Sequence, residues 1–220
     1  MGNFKLKLHG GGSSLSKLII KNNITDFDGN IYTSVVIGTQ IWMVENLKTT
    51  HYNDGTPIPY ITNNTDWSND TSGAYCWYNN DELTYKNPYG ALYNWYAVDN
   101  IHKLAPKGWR VPTDDDFTVL TTYLGGFLVA GGKLKETGLN HWTTPNAGAT
   151  NQYGFTALPG GWRDNIGSFD GIKDVGVLFT SSSNGSNEGW YRGITNEDPY
   201  ISTSNAPSVW GFSIRLIKDL

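Results

Sequence analysis

The run TDDDFTVLTTYLGG at residues 113–126 constrains this chain more than any other stretch, because it specifies both ends of a helix. Thr113 stands where an N-cap hydroxyl accepts from an orphan backbone N–H, and Asp116 takes the third helical position of a capping box. Asp114, Asp115 and Asp116 put carboxylates at the positive end of the helix macrodipole. Phe117, Leu120 and Leu124 then recur at helical spacing, Val119 and Tyr123 widen the face, and Gly125-Gly126 ends the segment. The helix is short and one-sided, so it needs a surface to cover it.

That surface has few conventional sources. Only 38% of the residues are apolar, so 9 Trp and 13 Tyr must supply much of the core. The 26 Gly and 9 Pro follow no period and imply many turns and short elements, not collagen or disorder. A net charge of -4 offers no basic surface for electrostatic nucleic-acid binding. No stretch is apolar and long enough to insert in a membrane, and GNFKLKLHGGG at the start lacks the apolar core and cleavage site of a signal peptide. The lone Cys76 excludes an internal disulfide framework and reads as a buried thiol.

Taken in order, residues 1–23 read as an appendage and residues 24–220 as one domain. Phe4, Leu6 and Leu8 alternate with Lys5 and Lys7 as in a strand, and GGGSS at 10–14 reads as a link. Residues 1–20 are therefore either an assembly strand for self-association or a frayed terminus. Asp28-Gly29-Asn30 makes a turn, not a calcium loop, since Ile31 stands where an EF-hand needs glycine. Residues 31–37 and 41–44 then read as two strands joined at Gly38-Thr39. Residues 45–87 are a long ordered loop pinned by aromatics, and Tyr89–Val98 reads as a helix. The passage through Gly132 is glycine-rich, Tyr153–Leu158 suggests a strand, and residues 162–176 suggest a polar loop. Further strands are expected at 177–181, 189–194 and 210–218, the last with Phe212, Ile214 and Leu216 on a buried face and Ser213 and Arg215 on the other. An α+β domain follows.

The segments IGTQIWMVENLKTTHYNDGTPI, YCWYNND, YGALYNWYAV, APKGWRVPTDDDFTVL, GGKLKETG, YGFTALPGGWRD and GFSIRLIKD occur in that order. Together they resemble the Fibrobacter succinogenes major paralogous domain family, which is similar in its helix start and closing strand to C-type lectin-like and formylglycine-generating proteins. The resemblance implies a C-type lectin-like fold: a twisted mixed or antiparallel sheet, two short flanking helices at Tyr89–Val98 and Thr113–Leu124, and long ordered loops presenting ligand contacts. Leu216 stands where many members carry cysteine, which removes the implied disulfide partner of Cys76. The segment at residues 181–215 also resembles the display regions that retroelements diversify in phage and bacterial lectin-like proteins.

No enzyme pattern stands out. His9, His51, His102 and His141 are isolated, and no HExxH, GxSxG, CxxC or phosphate-loop motif occurs. Cys76 alone cannot supply the C-terminal cysteines of formylglycine-generating chemistry. No cofactor is expected beyond a weak calcium candidate at Asp164, Asp170 and Asp174. Recognition has better material. Trp190, Tyr191, Arg192, Asn196, Tyr200 and Asn205, with Trp162 and Arg163, combine flat apolar faces with planar hydrogen-bonding groups, and Trp210 adds another ring. The sequence therefore reads as a non-enzymatic recognition or adhesion domain for a glycan or cell-surface protein. The alternative is a structural or fibre component of a bacteriophage virion. The expected location is a bacterial surface, the extracellular space or a virion.

Overall fold

A computed structural model describes residues 19–218 apart from residue 186. The expected strand and link at residues 4–14 lie outside the described residues. Thirteen strands are described: β1 (Ile19–Thr25), β2 (Ile31–Ile37), β3 (Gln40–Met43), β4 (Tyr75–Cys76), β5 (Leu92–Asn94), β6 (Trp109–Arg110), β7 (Gly160–Arg163), β8 (Phe169–Ile172), β9 (Val175–Ser183), β10 (Glu188–Thr195), β11 (Ser202–Pro207), β12 (Gly211–Phe212) and β13 (Ile217–Lys218). The helices are α1 (Asn64–Asn69), α2 (Glu82–Tyr89), α3 (Trp95–Val98), α4 (Asp114–Tyr123) and α5 (Phe127–Leu134).

The expected flanked sheet is in fact three sheets, ordered β1-β2-β3-β13-β6, β11-β10-β9 and β4-β5-β12-β7-β8. The fold is a mixed α+β one with more helices than the expected pair. The β2–β3 hairpin forms as its turn signals require, and the closing β13 adds beside β3 through Ile217 and Trp42. Since β1 pairs with β2, the sheet begins ahead of Ile24.

Helix α4 has both halves of the capping box, Thr113 Oγ1 accepting from Asp116 N at 3.2 Å and Thr113 N donating to the Asp116 carboxylate at 2.7 Å. Phe117, Leu120 and Leu124 pack with Trp42, Trp142 and Phe155 in one core cluster. Val119 and Tyr123 do not widen the buried face, being 49% and 51% exposed. They sit one position off the stripe, and with only ten residues the helix turns them to water.

Four other expectations are corrected. Tyr89–Val98 is not one helix: α2 ends at Tyr89, β5 follows, and α3 starts again behind an Asn94 side chain that accepts from Ala97 N at 3.1 Å. Gly90 makes the break, at φ 75° and with Leu47 O only 2.7 Å from where a Cβ would lie. The glycine-rich passage holds α5, whose Gly131 and Gly132 let backbone oxygens of Tyr200 and Gly148 approach to 1.9 and 2.4 Å of the missing Cβ positions. Residues 153–158 form no strand; only Ala157 bridges, to Lys135. Residues 162–176 are largely the β7–β8 hairpin and the start of β9.

The closing stretch is buried on both faces. Ser213 and Arg215 are as hidden as Phe212, Ile214 and Leu216. Arg215 is tolerable inside because its Nη2 donates to Asn46 Oδ1 at 2.8 Å and Thr156 O at 3.3 Å, with Phe155 O taking Nη1. Burial still pushes its guanidinium down to about 9.

Candidate functional site

Strand alternation on β10 decides which expected contacts can meet. Tyr191, Gly193 and Thr195 lie on one face, and Trp190, Arg192 and Ile194 on the other. The first face looks across at β7 and β12. There Trp162, Tyr191, Trp210 and the buried Phe212 line a cleft of about 250 Å³, with Val175, Val177, Gly193, Thr195 and Ser202 completing it.

Aromatic packing fixes the walls. Phe212 is the base: Phe179 packs on it with tilted rings at 4.4 Å, and Tyr191 meets it edge-on at 4.9 Å and Trp210 at 5.9 Å between ring centroids. Trp162 is held from behind by Gly171, at φ 74°, whose absent Cβ would lie 2.2 Å from the indole. The backbone at Trp210 is set by its main-chain N–H, which donates to Pro207 O at 2.9 Å. Two polar atoms around the cleft lack protein partners although they are buried, the Trp210 indole N–H and the Thr195 hydroxyl. Each is a hydrogen-bonding group that folding has dried without pairing.

The remaining sequence candidates lie elsewhere. Arg163, adjacent to Trp162 but pointing inward, is fully buried and donates to Ile61 O, Thr62 O, Asn64 Oδ1 and Gly167 O. Its guanidinium also covers the Trp67 ring at 4.5 Å, so it ties β7 to the 61–64 loop instead of meeting a ligand. Arg192 is 5% exposed and pairs with Asp114. Asn196 is buried, its amide donating to Thr143 Oγ1 and Thr144 O at 3.0 Å. Trp190 and Asn205 are cross-strand partners and, by alternation, face away from the cleft. Tyr200 is 46% exposed and sits by α5, where the adjacent Ile201 N–H donates to Phe127 O at 3.0 Å.

The cleft thus gathers Trp162, Tyr191 and Trp210 and none of the charged candidates. Sequence reading missed Val175, Val177, Thr195 and Ser202; for Ser202 the reason is that β11 is a polar run, STSNAP, with no apolar alternation to mark it. Two of the three aspartates at 114–116 are fold elements: Asp114 pairs with Arg192, and Asp116 with Arg110.

Asp164, Asp170 and Asp174 do not converge. Asp164 accepts from Ile166 N and Ser168 N, Asp170 from Gly171 N, and Asp174 from the Thr143 hydroxyl. Among the described residues no group of three or more His, Cys, Asp or Glu side chains could hold a metal ion. No single described helix is long and apolar enough to cross a membrane.

The family model described as the Fibrobacter succinogenes major domain matches residues 35–218. The chain belongs to that family. In this Fibrobacter succinogenes major domain the matched span runs from within β2 to the end of β13, so it encloses every residue of the cleft. Comparison with curated proteins and with solved structures returned no match.

Proposed function

We propose that this domain is a non-enzymatic recognition or adhesion module that seats a sugar ring of a surface glycan in the aromatic cleft. The observation carrying the reading is the convergence of Trp162, Tyr191 and Trp210 on one cleft. Aromatic faces suit the C–H face of a pyranose. At about 250 Å³ the cleft is smaller than the ~300–1,000 Å³ typical of pockets for drug-sized ligands, so it takes a ring and leaves the rest of the ligand on the surface.

The reading keeps the C-type lectin-like ancestry, supported by the GWRVPT approach to α4 and the GFSIR closing segment. It places the domain on a bacterial surface or a virion, where adhesion is useful, and needs no calcium. Screening the protein against neutral glycans should yield binders that Tyr191→Ala weakens by about 10-fold or more, the scale of one lost aromatic anchor. A full screen without a Tyr191-dependent signal would sink the reading.

A second reading, a structural or fibre component of a phage virion, draws on a different observation. Tyr123, Phe127, Leu128 and Tyr200 are all exposed apolar side chains on or beside α4 and α5. Such a surface is what an interface covers. Sedimentation of the full chain as a monomer at all concentrations, with no incorporation into particles, would count against it.

A further inference from the structure

A second cleft, of about 400 Å³, lies between the 103–111 segment and the end of β9 and shares no lining residue with the aromatic cleft. Its apolar wall is Val98, Leu104, Pro106 and the half-buried Trp109. Its polar lining is cationic: Lys103, Lys107 and Arg110, with Asn53 and Ser181.

The charges there are not balanced. Arg110 is bidentate on Asp116, and the nearby Asp54 carboxylate accepts from His102 Nδ1 at 2.5 Å. Those carboxylates are engaged, whereas Lys103 and Lys107 are exposed and make no ion pair or side-chain hydrogen bond among the described residues. In a chain of net charge -4, two ammonium groups with no ion-pair partner among the described residues stand beside one cleft.

Lys103 is also held in an unusual way. It adopts φ 59°, in the left-handed region that long side chains rarely occupy. Its N–H donates to Asn100 O at 3.1 Å and its carbonyl accepts from Asn53 N at 2.8 Å. The backbone at 103 would suit glycine, yet the position carries a cation on the cleft lining.

We propose that this cleft binds the acid-bearing ring of an anionic saccharide. The Trp109 and Pro106 faces take the ring, the Asn53 amide and Ser181 hydroxyl take its hydroxyls, and Lys103 and Lys107 take the anion. The shared chemistry is a carboxylate or sulfate on a sugar ring. A small ring fits better than nucleic acid, because two lysines neutralise too few phosphates for backbone binding.

The test is calorimetry on the full chain with three probes: a galacturonate oligosaccharide, its neutral galactose counterpart and a sulfated galactose oligosaccharide. The expected result is that one or both acidic probes bind about 10-fold or more tightly than the neutral one, with affinity falling as salt rises. The stronger acidic arm identifies carboxylate or sulfate as the anion. Lys103→Gly should weaken acidic binding by about 3-fold, and Lys103→Gly with Lys107→Gln by about 10-fold, as two half-screened charge contacts are lost. Lys103→Gly relieves the left-handed backbone, so its thermal midpoint should hold or rise, which separates lost binding from lost folding. Equal binding of acidic and neutral probes overturns the proposal. So does full acidic affinity in the folded double variant, or competition by duplex DNA as strong as by the acidic sugar.

Discussion

Arg192 reaches from the middle of β10 to the first turn of α4, where its guanidinium lies 2.7 Å from the Asp114 carboxylate and 3.0 Å from Asp114 O and Thr118 Oγ1. One side chain therefore fastens the β9–β11 sheet to the best-specified helix of the chain, and it does so on the face opposite the aromatic cleft. Arg192→Ala should cost about 2–4 kcal/mol, below the full cost of breaking a buried pair because Asp114 is partly solvated. Urea unfolding checks the stability. Neutral-glycan affinity of the folded variant should match the parent, whereas a loss of binding without unfolding would return Arg192 to the ligand site.

Gly171 and Trp162 make the corresponding relationship on the other side of the cleft. At φ 74°, with the indole 2.2 Å from the missing Cβ, position 171 admits no side chain without moving the ring. Gly171→Ala should destabilise by about 1–3 kcal/mol, combining left-handed strain with a steric shift. It should also lower glycan affinity, since the displaced Trp162 is a cleft wall. A stable variant with unchanged glycan affinity would show that Trp162 is a bystander.

Glycines and arginines mark where sequence reading stopped. The capped start of α4, the β2–β3 turn and the burial of Phe117 were legible, because caps, turn residues and helical spacing act locally. Helix α5 was not legible, since Gly131 and Gly132 look like breakers and serve instead as a close-packing surface for the backbone at Tyr200 and Gly148. The same holds for charge. Arg163, Arg192 and Arg215 look like surface groups in one dimension, but each ends on partners far away in sequence, such as Ile61 O for Arg163 and Asn46 for Arg215. Of the candidate site, Trp162, Tyr191 and Trp210 were visible as aromatics, while their convergence joins β7 and β10 of two different sheets, a long-range placement that no local pattern carries.

Cys76 is free and fully buried in a small cluster with Trp67, Ala74, Tyr78 and Leu92. Burial pushes its thiol up to about 12, with Arg163 opposing only in part. Leu216, the absent disulfide partner implied by the family resemblance, is buried in a different cluster. In the native protein Cys76 should stay unmodified by a water-soluble disulfide reagent at mildly alkaline pH and react fully once unfolded in concentrated guanidinium. Rapid native labelling would mean that the third cluster opens on its own.

Acid should test the capped helix. Burial acts to raise the Asp116 carboxyl, but hydrogen bonds from Arg110 and from Thr113 outweigh it and hold the group below its ordinary 3.8. Asp28 behaves alike: burial opposes, and the Thr50 N–H, His51 and the Thr49 and Thr50 hydroxyls win. For both, the folded state binds its proton less tightly than the unfolded chain. Their stabilisation is therefore complete above the ordinary value of 3.8 and is lost as pH falls through the lower folded value. Thermal midpoints measured downward from neutrality should stay nearly level with respect to these groups and then drop below 3.8. Asp116→Asn should lower the neutral-pH midpoint, because it loses the negative charge facing Arg110 and one of the two carboxylate acceptors, and should make the acid drop shallower. A variant with the parent's full acid slope would place the titrating group elsewhere, leaving the Arg110–Asp116 pair as mere geometry.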